Sequence, residues 1–151
     1  MSALRGDRLT AIAALLCVAG LAVAGYLTYV HYEEIAPVCT TGGCEKVQSS
    51  SYAELAGVPV ALLGVIGYAL IGLSLLWRGD LGHAATAALT LAGFGFSAYL
   101  TYLELFEIDA ICQWCVASAV LMTALLVVAV IRLLRPAEVP APDPPAADRP
   151  A

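Results

Sequence analysis

Two pairs of cysteines carry the chemistry this sequence offers: Cys39 and Cys44, five positions apart, and Cys112 and Cys115, in a CxxC arrangement. Thiols at i and i+3 share one face of a helical turn, and Cys112-Gln113-Trp114-Cys115 opens a long apolar run, so the motif predicts a helix start with both sulfurs on one side. Free backbone N–H groups at such a start lower a thiol pKa and make a better nucleophile. Helical rise sets Cys115 about 4.5 Å deeper than Cys112, one sulfur toward a wet loop and the other toward lipid-soluble ligands. The other pair closes the short loop Cys39-Thr40-Thr41-Gly42-Gly43-Cys44, whose two glycines tolerate sharp and changeable backbone paths. A bond across so small a loop adds little stability, less than the roughly 3 kcal/mol expected of a 15-residue loop, and exchange explains the pair better than stapling. Haem attachment is excluded because Val116, not His, follows Cys115. A four-thiolate structural zinc site has no evident purpose at an apolar bundle face, and no metal is predicted.

The elements that position these thiols follow from composition. The chain is 151 residues, 61% hydrophobic and 13% charged, too little polar surface to cover a soluble domain. Four apolar stretches, 9–30, 58–77, 84–105 and 112–134, carry no charge except Glu104 and Arg132, and each reaches the roughly 20 residues that cross a bilayer. The expected fold is an all-α integral membrane protein, a four-transmembrane-helix bundle with an outer redox loop over 31–57. The expected divisions are a short N-terminus (1–8), a membrane domain (9–134) and a Pro/Ala-rich disordered tail (135–151). Ser49, Ser50 and Ser51 followed by Glu54 predict an N-cap and a short amphipathic helix through Tyr52 and Ala56.

Arg5, Arg8, Arg78, Arg132, Arg135 and Arg149 fall on one side of the four-span arrangement. Lys46 stands on the other, among Glu33, Glu34, Glu45, Glu54, Glu107 and Asp109. The positive-inside rule then puts both termini in the cytoplasm and both cysteine pairs outside, where disulfides persist. The net charge of -5 speaks against nucleic acid.

An internal repeat supports this layout. A shift of 73 positions lays Tyr26-Leu27-Thr28-Tyr29 on Tyr99-Leu100-Thr101-Tyr102, Glu34-Ile35 on Glu107-Ile108, and Cys39 on Cys112. It also weighs against reading Arg5, Arg8 and Ala22-Val23-Ala24 as a cleavable signal peptide, since that would leave an orphan half. Tyr26, Tyr29, Tyr32, Tyr99 and Tyr102 read as anchors at the outer interface. Ala84, Ala88 and Ala92, with Gly64, Gly67 and Gly72, read as helix-packing positions. Cys17 reads as a core residue, and His31 and His83, which lack partners at ligand spacing, as interfacial residues.

Together the loop pair, the stretch Val47-Gln48-Ser49-Ser50-Ser51-Tyr52-Ala53-Glu54-Leu55-Ala56-Gly57-Val58-Pro59 and the CxxC resemble the vitamin K epoxide reductase family, in its bacterial disulfide-forming branch, over about residues 8–134. The quinone-coupled DsbB type is similar in role, but there the CxxC comes in the first outer loop. The resemblance implies a quinone-dependent thiol oxidase of the inner (plasma) membrane, with Cys39, Cys44, Cys112 and Cys115 catalytic. A reduced DsbA-like or thioredoxin-like protein would attack Cys39, Cys44 would pass electrons to Cys112, and Cys115 would reduce a menaquinone or ubiquinone. The family also places a serine near the quinone, which here is Ser50. Where animal members carry a Tyr and an Asn for the quinone, this chain has Ala119 and Val60. Many bacterial members carry a fused thioredoxin domain; this sequence ends at Ala151, so a separate partner is expected. The competing readings are a structural or adaptor membrane protein with two inert bridges, and the same relay run toward reduction.

Overall fold

A computed structural model describes residues 2–77 and 79–134, with side chains from Arg8 onward. Arg78, Arg135, Arg149 and the tail 135–151 lie outside the described residues, as does the side chain of Arg5. Within them the chain runs α1 (Ser2–Tyr32), α2 (Cys44–Gln48), a 3-10 turn (Ser51–Ala53), β1 (Glu54–Leu55), β2 (Val58–Pro59), α3 (Val60–Ser74), α4 (Asp80–Phe106) and α5 (Gln113–Leu133). The four long helices form a ring in which α1 packs on α3 and α5, and α4 on α3 and α5. It is an all-α membrane bundle whose only strands, among the described residues, are the two-residue β1 and β2.

Three helices, α1 from Arg8, α4 and α5, are long and apolar enough to cross a membrane, but α3 is 15 residues. At helical rise that is about 22 Å against the roughly 30 Å of a hydrocarbon core, shorter than the span expected at 58–77. Both ends account for the loss. Val58 and Pro59 are drawn into the strand pairing, and past Ser74 the backbone tightens into i→i+3 bonds through Trp77.

The helix expected through Tyr52 and Ala56 is also displaced. The short helix forms upstream at Cys44–Gln48, and the serines end it rather than start one: Ser49 Oγ donates to Glu45 O at 2.8 Å and Ser50 Oγ to Val47 O at 2.7 Å. These hydroxyls back-bond to carbonyls instead of capping N–H groups downstream. Glu54 and Leu55 then pair with Pro59 and Val58 across Ala56 (φ 53°) and Gly57 (φ 80°), both in the left-handed region a two-residue hairpin demands.

One cluster fills the middle of the bundle, with Ala13, Cys17, Tyr68, Ile71, Met122 and Leu125 buried together, Cys17 as the core residue expected. The predicted alanine stripe is not the packing stripe. Ala84, Ala88 and Ala92 are exposed, and α4 turns Gly82, Thr86 and Thr90 inward instead. Thr86 shares a hydrogen bond with Ser74 across α3 and α4 at 2.8 Å, the interhelical polar contact that lipid does not compete for. Gly20 lies under the Tyr68 ring and Gly93 under Met122, so added methyl groups would collide there, whereas Gly67 and Gly72 face open space. Arg132, assigned to the cytoplasmic edge by its charge, is buried in the last turn of α5.

The repeat is visible in the backbone. Ile35 N–H closes α1 on Val30 O at 3.2 Å, and 73 positions on Ile108 N–H closes α4 on Leu103 O at 2.9 Å. After that the halves diverge: Cys39 leads into a loop, Cys112 into a helix.

Candidate active site

Both cysteine pairs meet at one end of the ring. Cys39 and Cys44 are joined as a disulfide with Cα atoms 6.0 Å apart, while Cys112 and Cys115 are thiols. Cys44 and Cys112 are each 0% exposed and share one buried cluster with Val47, Leu103 and Ile108, against which Cys39, Trp114 and Cys115 pack. Cys39 is half-buried, so the loop bridge has one sulfur toward solvent and one toward Cys112.

The residues between Cys112 and Cys115 hold the loop there. Gln113 Oε1 accepts from Thr40 N–H at 3.0 Å and from Thr40 Oγ1 at 2.6 Å. Trp114 Nε1–H donates to Val38 O at 2.8 Å, and Thr41 Oγ1 donates to Ile111 O at 3.2 Å. Tyr26, expected only as an interfacial anchor, takes part as well: its hydroxyl accepts from Val38 N–H at 2.9 Å and its ring lies 4.9 Å from that of Trp114. Tyr29, Tyr32, Tyr99 and Tyr102 are exposed, as anchors would be. Gly43 passes so close to Ile111 that a Cβ would strike its backbone, which makes the second loop glycine a condition of contact between the pairs. His31 pairs with Glu54 Oε1 at 3.2 Å and ties α1 to β1.

Cys112 is the N-cap of α5, with φ -94° and ψ 116°, and its carbonyl accepts the first helical bond from Val116 N–H at 3.0 Å. Its thiol is lowered to about 7, first by the side-chain hydrogen bond with Cys115; burial opposes this, the Cys115 and Trp114 N–H groups assist, and the Glu104 charge resists. A substantial thiolate fraction at neutral pH follows, which is the nucleophile disulfide exchange requires.

Cys115, one turn in, borders a cavity of about 150 Å³ between α1, α3, α4, α5 and the loop. Its walls are largely apolar, with Leu27, Leu63, Phe96 and Leu100 among them, and a dry cavity of this size admits a single six-membered ring. Ser50 and Val60 line it. In the wall opposite the loop, Tyr68 Oη donates to Ser118 O and shares a bond with Ser118 Oγ, both at 3.0 Å. Gly67 supplies open wall. The residues present fit a quinone ring: apolar sides, a few hydroxyls and a thiol at one end.

Glu104 is the site residue that the reading of the sequence passed over. It is 4% exposed, its Oε2 accepts from Cys112 N–H at 3.0 Å, the Cys115 thiol is within hydrogen-bonding reach, and it borders the same cavity. The signal was present, since an ionisable residue inside an apolar span marks a functional position by default.

A helical membrane bundle with a loop disulfide stacked on a helix-start dithiol defines a membrane redox enzyme that works through thiols. The chain matches the family model described as "Vitamin K epoxide reductase family" over residues 11–130, and it belongs to that family.

Proposed function

We propose that this chain is a quinone-dependent thiol oxidase that reoxidises a separate DsbA-like or thioredoxin-like protein outside the plasma membrane. The observation that carries the reading is the order of sulfurs from water to the apolar cavity: half-exposed Cys39, buried Cys44 beside buried Cys112, then Cys115 on the cavity wall. A partner thiolate attacks Cys39 and releases Cys44. The partner's second thiol attacks its own sulfur in that mixed disulfide, which frees Cys39 and leaves the partner oxidised. The Cys44 thiolate attacks the Cys112 sulfur of an oxidised Cys112–Cys115 pair and displaces Cys115. Cys39 then attacks Cys44, which re-forms the loop bridge, releases Cys112 and leaves the dithiol described above. That dithiol then yields two electrons to a membrane quinone and closes as a disulfide. Ser50 and the Tyr68–Ser118 hydroxyls orient the quinone oxygens. The distribution of basic residues in the sequence supports a loop outside and both termini inside. Unbonded Cys112 and Cys115 support exchange over a pair of inert bridges.

Cys115→Ala tests the reading. The variant is expected to lose quinone reduction, followed by quinone absorbance, while Cys39 still traps a reduced thioredoxin-like partner as a mixed disulfide. Quinone reduction at the wild-type rate would refute the assignment.

A further inference from the structure

We infer that Glu104 is a catalytic residue, the proton carrier between Cys115 and the quinone, an inference resting on the reading of Cys112 and Cys115 as the quinone-reducing pair. Quinone reduction consumes two protons, and the walls of the cavity are poor in groups that could deliver them. Its lining holds no Lys, Arg or His. Its phenols are Tyr52 and Tyr68, and Tyr68 is committed to Ser118. Glu107 and Asp109, in the turn after α4, are exposed and do not line the cavity. Glu104 is left as the one carboxyl in the cavity wall, beside the Cys115 thiol.

The carboxyl is held for that exchange. Cys112 N–H fixes Oε2, and the Glu104 main-chain carbonyl accepts from Ala110 N–H at 3.1 Å, so the turn that delivers Cys112 to α5 also clamps Glu104. The Cys115 thiol is the other group within reach of the carboxyl. No basic side chain stands in the cavity wall to pair with the carboxylate, and a buried charge without such a partner is costly. An apolar residue of similar volume would fill the space at lower cost.

Oxidation breaks two S–H bonds and forms the Cys112–Cys115 S–S bond, and two electrons pass to the quinone. Glu104 takes the Cys115 proton and delivers it to one quinone oxygen, returning to the carboxylate. Cys112 releases its proton to water at the outer end, and the proton for the second oxygen is drawn from water. The products are one disulfide and one hydroquinone.

The rival role is a structural cap on Cys112 N–H. Glu104→Gln separates the two, because the amide oxygen still accepts that bond but the side chain carries no proton. In single-turnover reactions of the full chain, reduced and reconstituted in bilayer discs with a short-chain naphthoquinone, Glu104→Gln is expected to be about 100-fold slower than wild type. Its pH profile loses the limb due to the carboxyl, and added acetate restores part of the rate to Glu104→Ala. A Glu104→Gln rate and pH profile equal to wild type would overturn the inference while leaving the oxidase reading intact. Failure of the wild type itself to reduce the quinone would overturn that reading and this inference with it.

Discussion

Gln113→Ala is expected to loosen the redox loop from the dithiol beneath it without touching a sulfur. The side chain accepts two bonds from Thr40, at 3.0 and 2.6 Å, and donates a long one of 3.4 Å to Val38 O. The two short bonds are worth about 1 kcal/mol each net of water, and the long one close to nothing. Their loss shifts the docked–undocked equilibrium by about 2 kcal/mol, or about 30-fold more undocked loop while that form remains a minority. Val38 N–H, bonded to Tyr26 Oη, reports the opening through native-state hydrogen exchange and should exchange faster by the same factor. Two rates should move apart: an external thiol attacks Cys39 faster, and electron transfer from Cys44 to Cys112 slows once the undocked form is appreciable. Gln113→Glu keeps both acceptor sites and should stay within a few-fold of wild type. Unchanged Val38 exchange in Gln113→Ala, or both rates moving in one direction, would refute the idea that this side chain holds the two pairs together.

Two further outcomes are expected. The reverse of the proposed exchange, attack of Cys112 in the reduced pair on the loop disulfide, should speed up with pH and level off above about 7, because the lowered Cys112 thiol is already ionised there; continued rise to pH 9, as for an ordinary thiol, would contradict it. Stopped-flow mixing across pH 5 to 9 measures it. Gly67 faces open space in the cavity wall, so Gly67→Leu should fill the cavity rather than clash, raising the KM for quinone at least about tenfold, or 1.4 kcal/mol, in steady-state assays. An unchanged KM would place the quinone elsewhere.

The sequence alone determined the membrane bundle, the two thiol pairs and the family resemblance, because each rests on local information: apolar run length, residue spacing and a 73-residue repeat. The same locality explains the failures. Ser49, Ser50 and Glu54 satisfy a capping pattern, yet which carbonyls or N–H groups the serines reach depends on where the Cys39–Cys44 bridge and the Ala56-Gly57 turn set the chain. Ala84, Ala88 and Ala92 have the right size and spacing for packing, but the face a helix buries is fixed by its neighbours, and α4 buries the threonines. Tyr26 and His31 read as surface residues because Val38 and Glu54, their partners, lie 12 and 23 positions away. Tertiary structure alone decided the site's arrangement: Cys44 against Cys112, Gln113 and Trp114 gripping the loop, and the N–H of Cys112 carried by the turn after α4 back to Glu104. Hydrogen bonds and burial between residues distant in sequence are long-range outcomes of how the helices close into a ring, and no local pattern encodes them.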